Sequence, residues 1–142
     1  MLVKDVMTKD VATITPEDKV DHAAELMKEY NVGSIPVCRG ENVVGIVTDR
    51  DIALRSSAEG INSNTQKVQD IMSSNPVLGN PEMDTKDAAR IMSERQIRRL
   101  PIANNNQLVG IVSLGDLAVE PNLTNEAGDA LSDISEPCSP SI

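Results

Sequence analysis

Two stretches of the chain place a hydroxyl and a carboxylate three residues apart, directly after an apolar run: "VGIVTDRD" at Val44–Asp51 and "VGIVSLGD" at Val109–Asp116. Thr48 with Asp51, and Ser113 with Asp116, suit the recognition of a polyhydroxyl ligand. An ionised carboxylate is an acceptor only, and its two oxygens can grip a pair of adjacent sugar hydroxyls, with the neighbouring hydroxyl donating or accepting. A ribose fits that description. If each pair stands where a strand ends and a helix begins, the outward-pointing backbone N–H groups add partial positive charge, which favours a small anionic ligand. The same spacing is that of a capping box, in which the two side chains satisfy backbone donors at the helix start. Both copies use Asp where such a box prefers the longer Glu or Gln, which weighs against the cap, and both readings stand on spacing alone.

Other chemistries find little support. His22 is the sole histidine and has no Cys beside it, so a metal site or a Ser/His triad lacks its parts. Cys38 and Cys138 are far apart, one in an apolar run and one in the tail, a spacing of neither a disulfide framework nor a metal site, and both read as free thiols. The carboxylates are scattered with no acid–base pair among them, and there is no phosphate-binding glycine loop and no nucleophile elbow. An enzyme is therefore not expected. The net charge of −9 would repel a phosphate backbone, which argues against nucleic acid. No basic leader precedes an apolar run, and no window approaches about 18 consecutive apolar residues, so a cytoplasmic protein without membrane contact is expected.

What must position the two pairs is an internal repeat. Val3–Leu54 lies over Val68–Val119 without a gap, aligning Asp5 with Asp70, Met7 with Met72, Pro36 with Pro101, Gly45 with Gly110 and Asp51 with Asp116. The copies are read as residues 1–60 and 61–121, followed by a C-terminal helix and acidic tail over 122–142 whose end is disordered. Within 142 residues each copy is too small to bury a sufficient core alone, so the two are expected to pack together about a pseudo-twofold axis. With one Tyr and no Trp or Phe, that core is aliphatic.

Each copy reads as a short helical turn ("VKDVM", "VQDIM"), an extended piece, a helix, a hairpin and a second helix. Thr15-Pro16-Glu17-Asp18 and Asn80-Pro81-Glu82 mark the helix starts by their capping side chain, proline and acids. Val20, Ala23, Ala24, Met27 and Tyr30, with Ala88, Ala89, Ile91 and Met92 in the second copy, form the apolar faces. The hairpins are "SIPVCR" with "NVVGIVT" and "LPIAN" with "QLVGIVS", turning at Gly40-Glu41-Asn42 and Asn104-Asn105-Asn106. The second helices follow at Asp49–Ser56 and Leu114–Glu120. Beyond Pro121, Ala127, Ala130, Leu131 and Ile134 repeat at helical spacing before "EPCSPSI", which reads as disordered.

The doubled "GIVTDRD" and "GIVSLGD", with "VGSIPV" and "IRRLPI" and with "VKDVMT" and "VQDIMS", resemble the CBS domain, and the chain resembles a stand-alone CBS pair (a Bateman module) from Val3 to about Glu120. The resemblance implies an α+β fold of two βαββα repeats, packed sheet to sheet about a pseudo-twofold axis, with two clefts at the junction. It further implies a regulatory module that binds an adenine nucleotide (AMP, ADP or ATP) with no required cofactor, forms a homodimer and acts on an unidentified effector protein. Carried over by motif, Thr48 with Asp51 and Ser113 with Asp116 would hold a ribose. Ile35-Pro36 and Leu100-Pro101, with Thr13-Ile14 and Leu78, would line the base. Arg50, and Arg98 or Arg99 from across the axis, would meet phosphates, making the cleft of the first copy the better anion site. S-adenosylmethionine fits the same pattern. The alternative is a structural dimerisation or protein-interaction module with no nucleotide, in which Thr and Asp are caps.

Overall fold

The computed structural model describes residues 1–62, 64–119 and 124–135. The chain divides into two compact units that do not follow the sequence copies segment for segment. Unit I holds Asp10–Val77 and the hairpin tip Asn105–Leu108; unit II holds Met1–Lys9, Leu78–Asn104 and the chain from Val109 onward. Each unit thus takes the opening segment of the other copy.

In unit I the elements are helix α1 (Val20–Tyr30), strands β1 (Ser34–Arg39) and β2 (Asn42–Thr48), helix α2 (Asp49–Ile52) and the short strand β3 (Ser73–Ser74). β1 and β2 form an antiparallel hairpin in register Ser34↔Thr48 to Arg39↔Asn42, with a bulge between Val37 and Cys38, and β3 pairs with the other edge of β2 through Gly45↔Ser74 and Ile46↔Ser73. Unit II repeats the plan with helix α3 (Thr85–Arg95), strands β4 (Arg99–Asn104) and β5 (Gln107–Ser113) and helix α4 (Leu114–Ala118), then adds helix α5 (Thr124–Ile134). Here Thr8 takes the place of β3, bonding Ile111 in both directions at 2.8 and 2.9 Å. The turns differ as their residues require. Gly40 takes φ +65°, whereas Asn105 and Asn106 both adopt positive φ, which Asn tolerates better than most side chains and which a tight hairpin favours.

The exchanged segments explain the repeated Gly and Met. A Cβ placed on Gly45 would lie 2.7 Å from the Met72 sulfur and 2.8 Å from the Ser73 carbonyl, and one on Gly110 would lie 2.7 Å from the Met7 sulfur and 2.8 Å from the Thr8 carbonyl. The flexible thioether thus lies flat against a bare stretch of strand. The same segments also start the long helices. Val20 donates its N–H to Gln66 O (2.9 Å) and Thr85 to Met1 O (3.0 Å), while Val68 and Val3, both fully buried, anchor the 3-10 turns that begin two residues after those carbonyls.

Helix starts consequently differ from the sequence expectation. Thr15–Asp18 is a turn closed by Thr15 N–H donating to Asp18 Oδ2 (2.9 Å), and α1 begins only at Val20. In the second copy Asn80 accepts from Glu82 N–H (2.8 Å), and the cap of α3 is Asp84, which accepts from Lys86 N–H (2.8 Å). Local capping chemistry makes turns at these sites, and the carbonyls of the exchanged segment set where the helices start. Two expected core positions are also corrected: Ala24 is exposed and Tyr30 is 49% exposed, on a face of α1 that no element of unit I covers.

The core of unit I is Ile14, Val20, Ala23, Met27, Ile35, Val37, Val47, Val68 and Ile71, aliphatic throughout. That of unit II includes Val3, Ala88, Met92, Leu100, Ile102, Val112 and Leu117. α5 packs on α3 and α4 through Ala127 and Ala130. Cys138, Glu120 and the tail "EPCSPSI" lie outside the described residues.

Because the Cβ of Gly45→Ala or Gly110→Ala would meet a backbone carbonyl as well as the yielding thioether, each substitution is expected to destabilise the protein by about 1–3 kcal/mol, read as a lower urea midpoint. Methionine-to-alanine at position 72 or 7 in the same chain should recover only part of the loss, since the carbonyl contact remains.

Candidate functional site

In both units the second hairpin strand ends on a hydroxyl and runs without a loop into a short helix. Thr48 and Ser113 are extended, with φ −118° and −108°, and are the caps of α2 and α4. Thr48 N–H donates to Asp51 Oδ2 (2.9 Å) and Asp51 N–H donates to Thr48 Oγ1 (3.1 Å); Ser113 N–H donates to Asp116 Oδ2 (2.9 Å) and Asp116 N–H to Ser113 Oγ (3.0 Å). Both are complete reciprocal capping boxes, so Asp closes the box although such a box prefers the longer Glu or Gln. A single turn of tight helix brings the carboxylate close enough.

Closing the box engages one oxygen of each carboxylate. The second, Oδ1 of Asp51, lies 4.0 Å from Arg55 Nε one turn later, and Arg55 also donates to Ile71 O (3.1 Å). Among the described residues Asp116 Oδ1 makes no hydrogen bond. Both aspartates are half-buried, so each carboxylate is oriented by its box yet reachable from solvent. Arg55 was not singled out in the sequence, although its position four residues after Asp51 is the spacing of a helical ion pair.

Each box is tied to the start of its hairpin. Asp49 N–H donates to Gly33 O (2.9 Å) and Leu114 N–H donates to Arg98 O (2.8 Å). The extended piece before each long helix runs parallel to the first hairpin strand: Ile14 donates to Pro36 O (3.2 Å) and accepts from Cys38 (2.8 Å), and Gly79 donates to Pro101 O (2.8 Å) and accepts from Ala103 (2.9 Å). Unit I thus brings together Thr13, Ile14, Ile35, Pro36, Thr48, Arg50 and Asp51. Unit II brings together Leu78, Leu100, Pro101, Ser113, Asp116, Arg98 and Arg99.

Not every side chain has the surroundings its expected role needs. Ile35 and Leu100 are 0% exposed and Ile14 is 3% exposed, so their side chains belong to the cores. Thr13 is exposed and Leu78 half-buried. Arg50 and Arg98 are exposed and Arg99, at the head of β4, is half-buried.

The two units differ most in charge. A methyl group on Gly33 would come 3.1 Å from Asp49 Oδ2, so unit I places a carboxylate where the second copy has Arg98 and Leu114. Unit I therefore carries Asp49, Arg50, Asp51 and Arg55 around its box, whereas unit II carries Arg98 and Arg99 with Asp116. Beside Thr48 in the ladder, Ser34 Oγ is buried with no hydrogen-bond partner among the described residues. Cys38 is a free, buried thiol whose pKa burial pushes up, which makes it a poor nucleophile. Among the described residues no group of three or more His, Cys, Asp or Glu side chains is placed to hold a metal ion. No helix among them is long and apolar enough to cross a membrane.

Two hairpin-and-helix units that each end a strand on this box define a recognisable class of tandem regulatory fold. Residues 3–57 and 68–121 each match the CBS domain, and the chain belongs to the CBS domain family. It is similar to the CBS domain-containing protein YhcV of Bacillus subtilis (strain 168), 51% identical over 133 residues that span 94% of each chain. Among solved structures it resembles Hypoxic Response Protein I with two coordinated zinc ions, at a TM-score of 0.78 and 27% identity, covering 84% of this chain and 98% of that one. It also shares the fold of PAE2072 from Pyrobaculum aerophilum, solved in complex with AMP, at a TM-score of 0.81 and 22% identity over 90% of this chain and 98% of that one. Stand-alone CBS domain proteins are generally regulatory.

Since each box satisfies two backbone donors, Asp51→Ala or Asp116→Ala is expected to lower the stability of the ligand-free protein by about 0.5–2 kcal/mol, measured by thermal or urea unfolding. Asn keeps an acceptor for the Thr48 or Ser113 N–H, so Asp51→Asn and Asp116→Asn should lose less than half as much.

Proposed function

We propose that the protein is a cytoplasmic sensor in which an adenine nucleotide (AMP, ADP or ATP) is the regulatory ligand and no other cofactor is required. The observation that carries this reading is the hydroxyl–carboxylate box, closed at the same strand end in both units with a second carboxylate oxygen left over. A carboxylate held rigid by its own helix needs no reorganisation to accept a ribose hydroxyl on its remaining oxygen. Thr48 with Asp51 and Ser113 with Asp116 take the ribose. Backbone groups of Ile35-Pro36, Leu100-Pro101, Thr13-Ile14 and Leu78 flank the base, and Arg50, Arg98 and Arg99 supply cations for phosphates. That PAE2072, a protein of the same fold, is complexed with AMP supports this reading.

The ligand acts by favouring one packing or assembly of the protein over another, because only a difference in affinity between two states can shift their balance. The partners in this reading are a second copy of the chain, as a homodimer, and an effector protein of unidentified kind, with no role for nucleic acid or membrane.

A second reading rests on the completeness of the boxes. If closing them is the whole duty of Thr48, Asp51, Ser113 and Asp116, the protein is a dimerisation or interaction module without a nucleotide.

Calorimetric titration with AMP, ADP, ATP and S-adenosylmethionine separates the two. The sensor reading expects saturable binding of at least one adenine nucleotide and stabilisation of about 2.7 kcal/mol when the free ligand exceeds its Kd a hundredfold. Asp51→Asn or Asp116→Asn should remove that stabilisation while leaving the ligand-free melting temperature nearly unchanged. Absence of heat and of any thermal shift with all four ligands at millimolar concentration would hand the case to the interaction module.

A further inference from the structure

α5 is a helix with little stability of its own. Its 11 residues fall short of the ~12–15 that an isolated helix needs, Gly128 stands in its middle, and it carries Glu126, Asp129 and Asp133 with no Lys or Arg. Asp133 in the last turn also faces the negative end of the helix dipole. What holds α5 is its packing on α3 and α4. Ala127 and Ala130 are buried at 4% and 1% exposure, Ser93 Oγ donates to Asp133 Oδ2, and Gln96 Nε2 donates to Asp133 O (3.1 Å). Between α3 and α5 runs a groove of about 160 Å³ lined by Lys86, Arg90 and Ser93 of α3 and by Glu126 and Asp129 of α5, with no ion pair across it among the described residues. Arg90 pairs instead along its own helix with Asp87 (3.2 Å) and Glu94 (3.9 Å), which leaves Lys86 as the groove cation without an ion pair among the described residues.

The repeat supplies an internal control. Through the alignment of the copies, Lys86, Ala89 and Arg90 of α3 correspond to Asp21, Ala24 and Glu25 of α1. The central alanine is retained, so both faces could admit a helix that lays small side chains against them. The charges flanking it are inverted at these two positions, while α1 also has Lys28 where α3 has Ser93. Ala89 is 4% exposed under α5, whereas Ala24 is exposed. An acidic helix is attracted by one of these faces and repelled by the other.

We propose that α5 is a charge-selected latch: Lys86 and Arg90 direct it onto α3, while Asp21 and Glu25 bar it from the repeat-equivalent face of α1. Salt screening or a competing polyanion promotes release of α5 from α3. The latch does not depend on nucleotide binding.

Hydrogen exchange of the full chain tests it, read on the amides of Ala127–Ile134 against those of β4 and β5 as a folding control. Lys86→Asp with Arg90→Glu, which writes the α1 charges onto α3, should lower protection of α5 about tenfold with the strands unchanged. Adding Glu126→Lys and Asp129→Lys to that chain should restore it. If the α3 variant loses its strand protection, Glu126→Lys with Asp129→Lys on the unaltered α3 makes the same test and should show the same loss. Protection of wild-type α5 should fall as sodium chloride rises from about 0.05 to about 1 M. The latch is overturned if α5 protection is indifferent to the charge reversals, if the four-residue swap fails to restore it, or if it rises with protein concentration, which would mean that the covering helix comes from a second copy.

Discussion

The structure depends on a thioether laid across a bare strand. Met72 over Gly45 and Met7 over Gly110 leave no room for a side chain, and the Ser73 and Thr8 carbonyls beside them pair with the same strands. Once that contact is made, the 3-10 turn just before each methionine lies against the start of a long helix, where its neighbours supply the carbonyls that receive the first helical N–H groups. One local contact thereby fixes a third strand, a helix start and a buried valine in each unit. Because the contact is always with the opening segment of the other copy, neither copy completes its fold with its own residues. That is a structural reason why a unit of this size is found doubled.

The box at each strand end shows how capping and recognition can share one carboxylate. A cap needs one oxygen, and Asp51 and Asp116 have two. The helix gains an anchored start, and the surface gains an acceptor whose direction is set by backbone geometry rather than by a free rotamer. Arg55 at 4.0 Å from Asp51 Oδ1 gives unit I a counter-charge at that oxygen. In unit II the arginines stand instead at the head of β4. Two boxes of identical geometry therefore sit in different fields, so the copies are chemically distinct even where their backbones match.

The helical faces repeat this lesson. α1 and α3 share most of their apolar positions, yet α3 is covered by α5 and α1 is not, and the two helices also differ in charges that contribute nothing to the cores. Duplication supplied two equal scaffolds, and substitutions on their exposed positions made them unequal.

Much of this was legible in the sequence. The gapless repeat, the hairpins with their polar turns, the short second helices, the C-terminal helix and the recurring hydroxyl–carboxylate pairs all follow from spacing and local preference, because their partners are near in the chain. The start of α1 at Val20 was not legible: Thr15–Asp18 carries every local sign of a helix cap, and the carbonyl of Gln66, distant in sequence, decided otherwise. Nor could two nearly identical opening segments reveal which hairpin each would join, since their local chemistry is the same for either. The burial of Ile35 and Leu100, the exposure of Tyr30 and the covering of Ala89 were likewise settled by packing. The sequence by itself determined the elements and the chemistry at their ends, through interactions within a few residues; tertiary structure alone decided which segments complete each unit, because that choice rests on contacts between residues far apart in the chain.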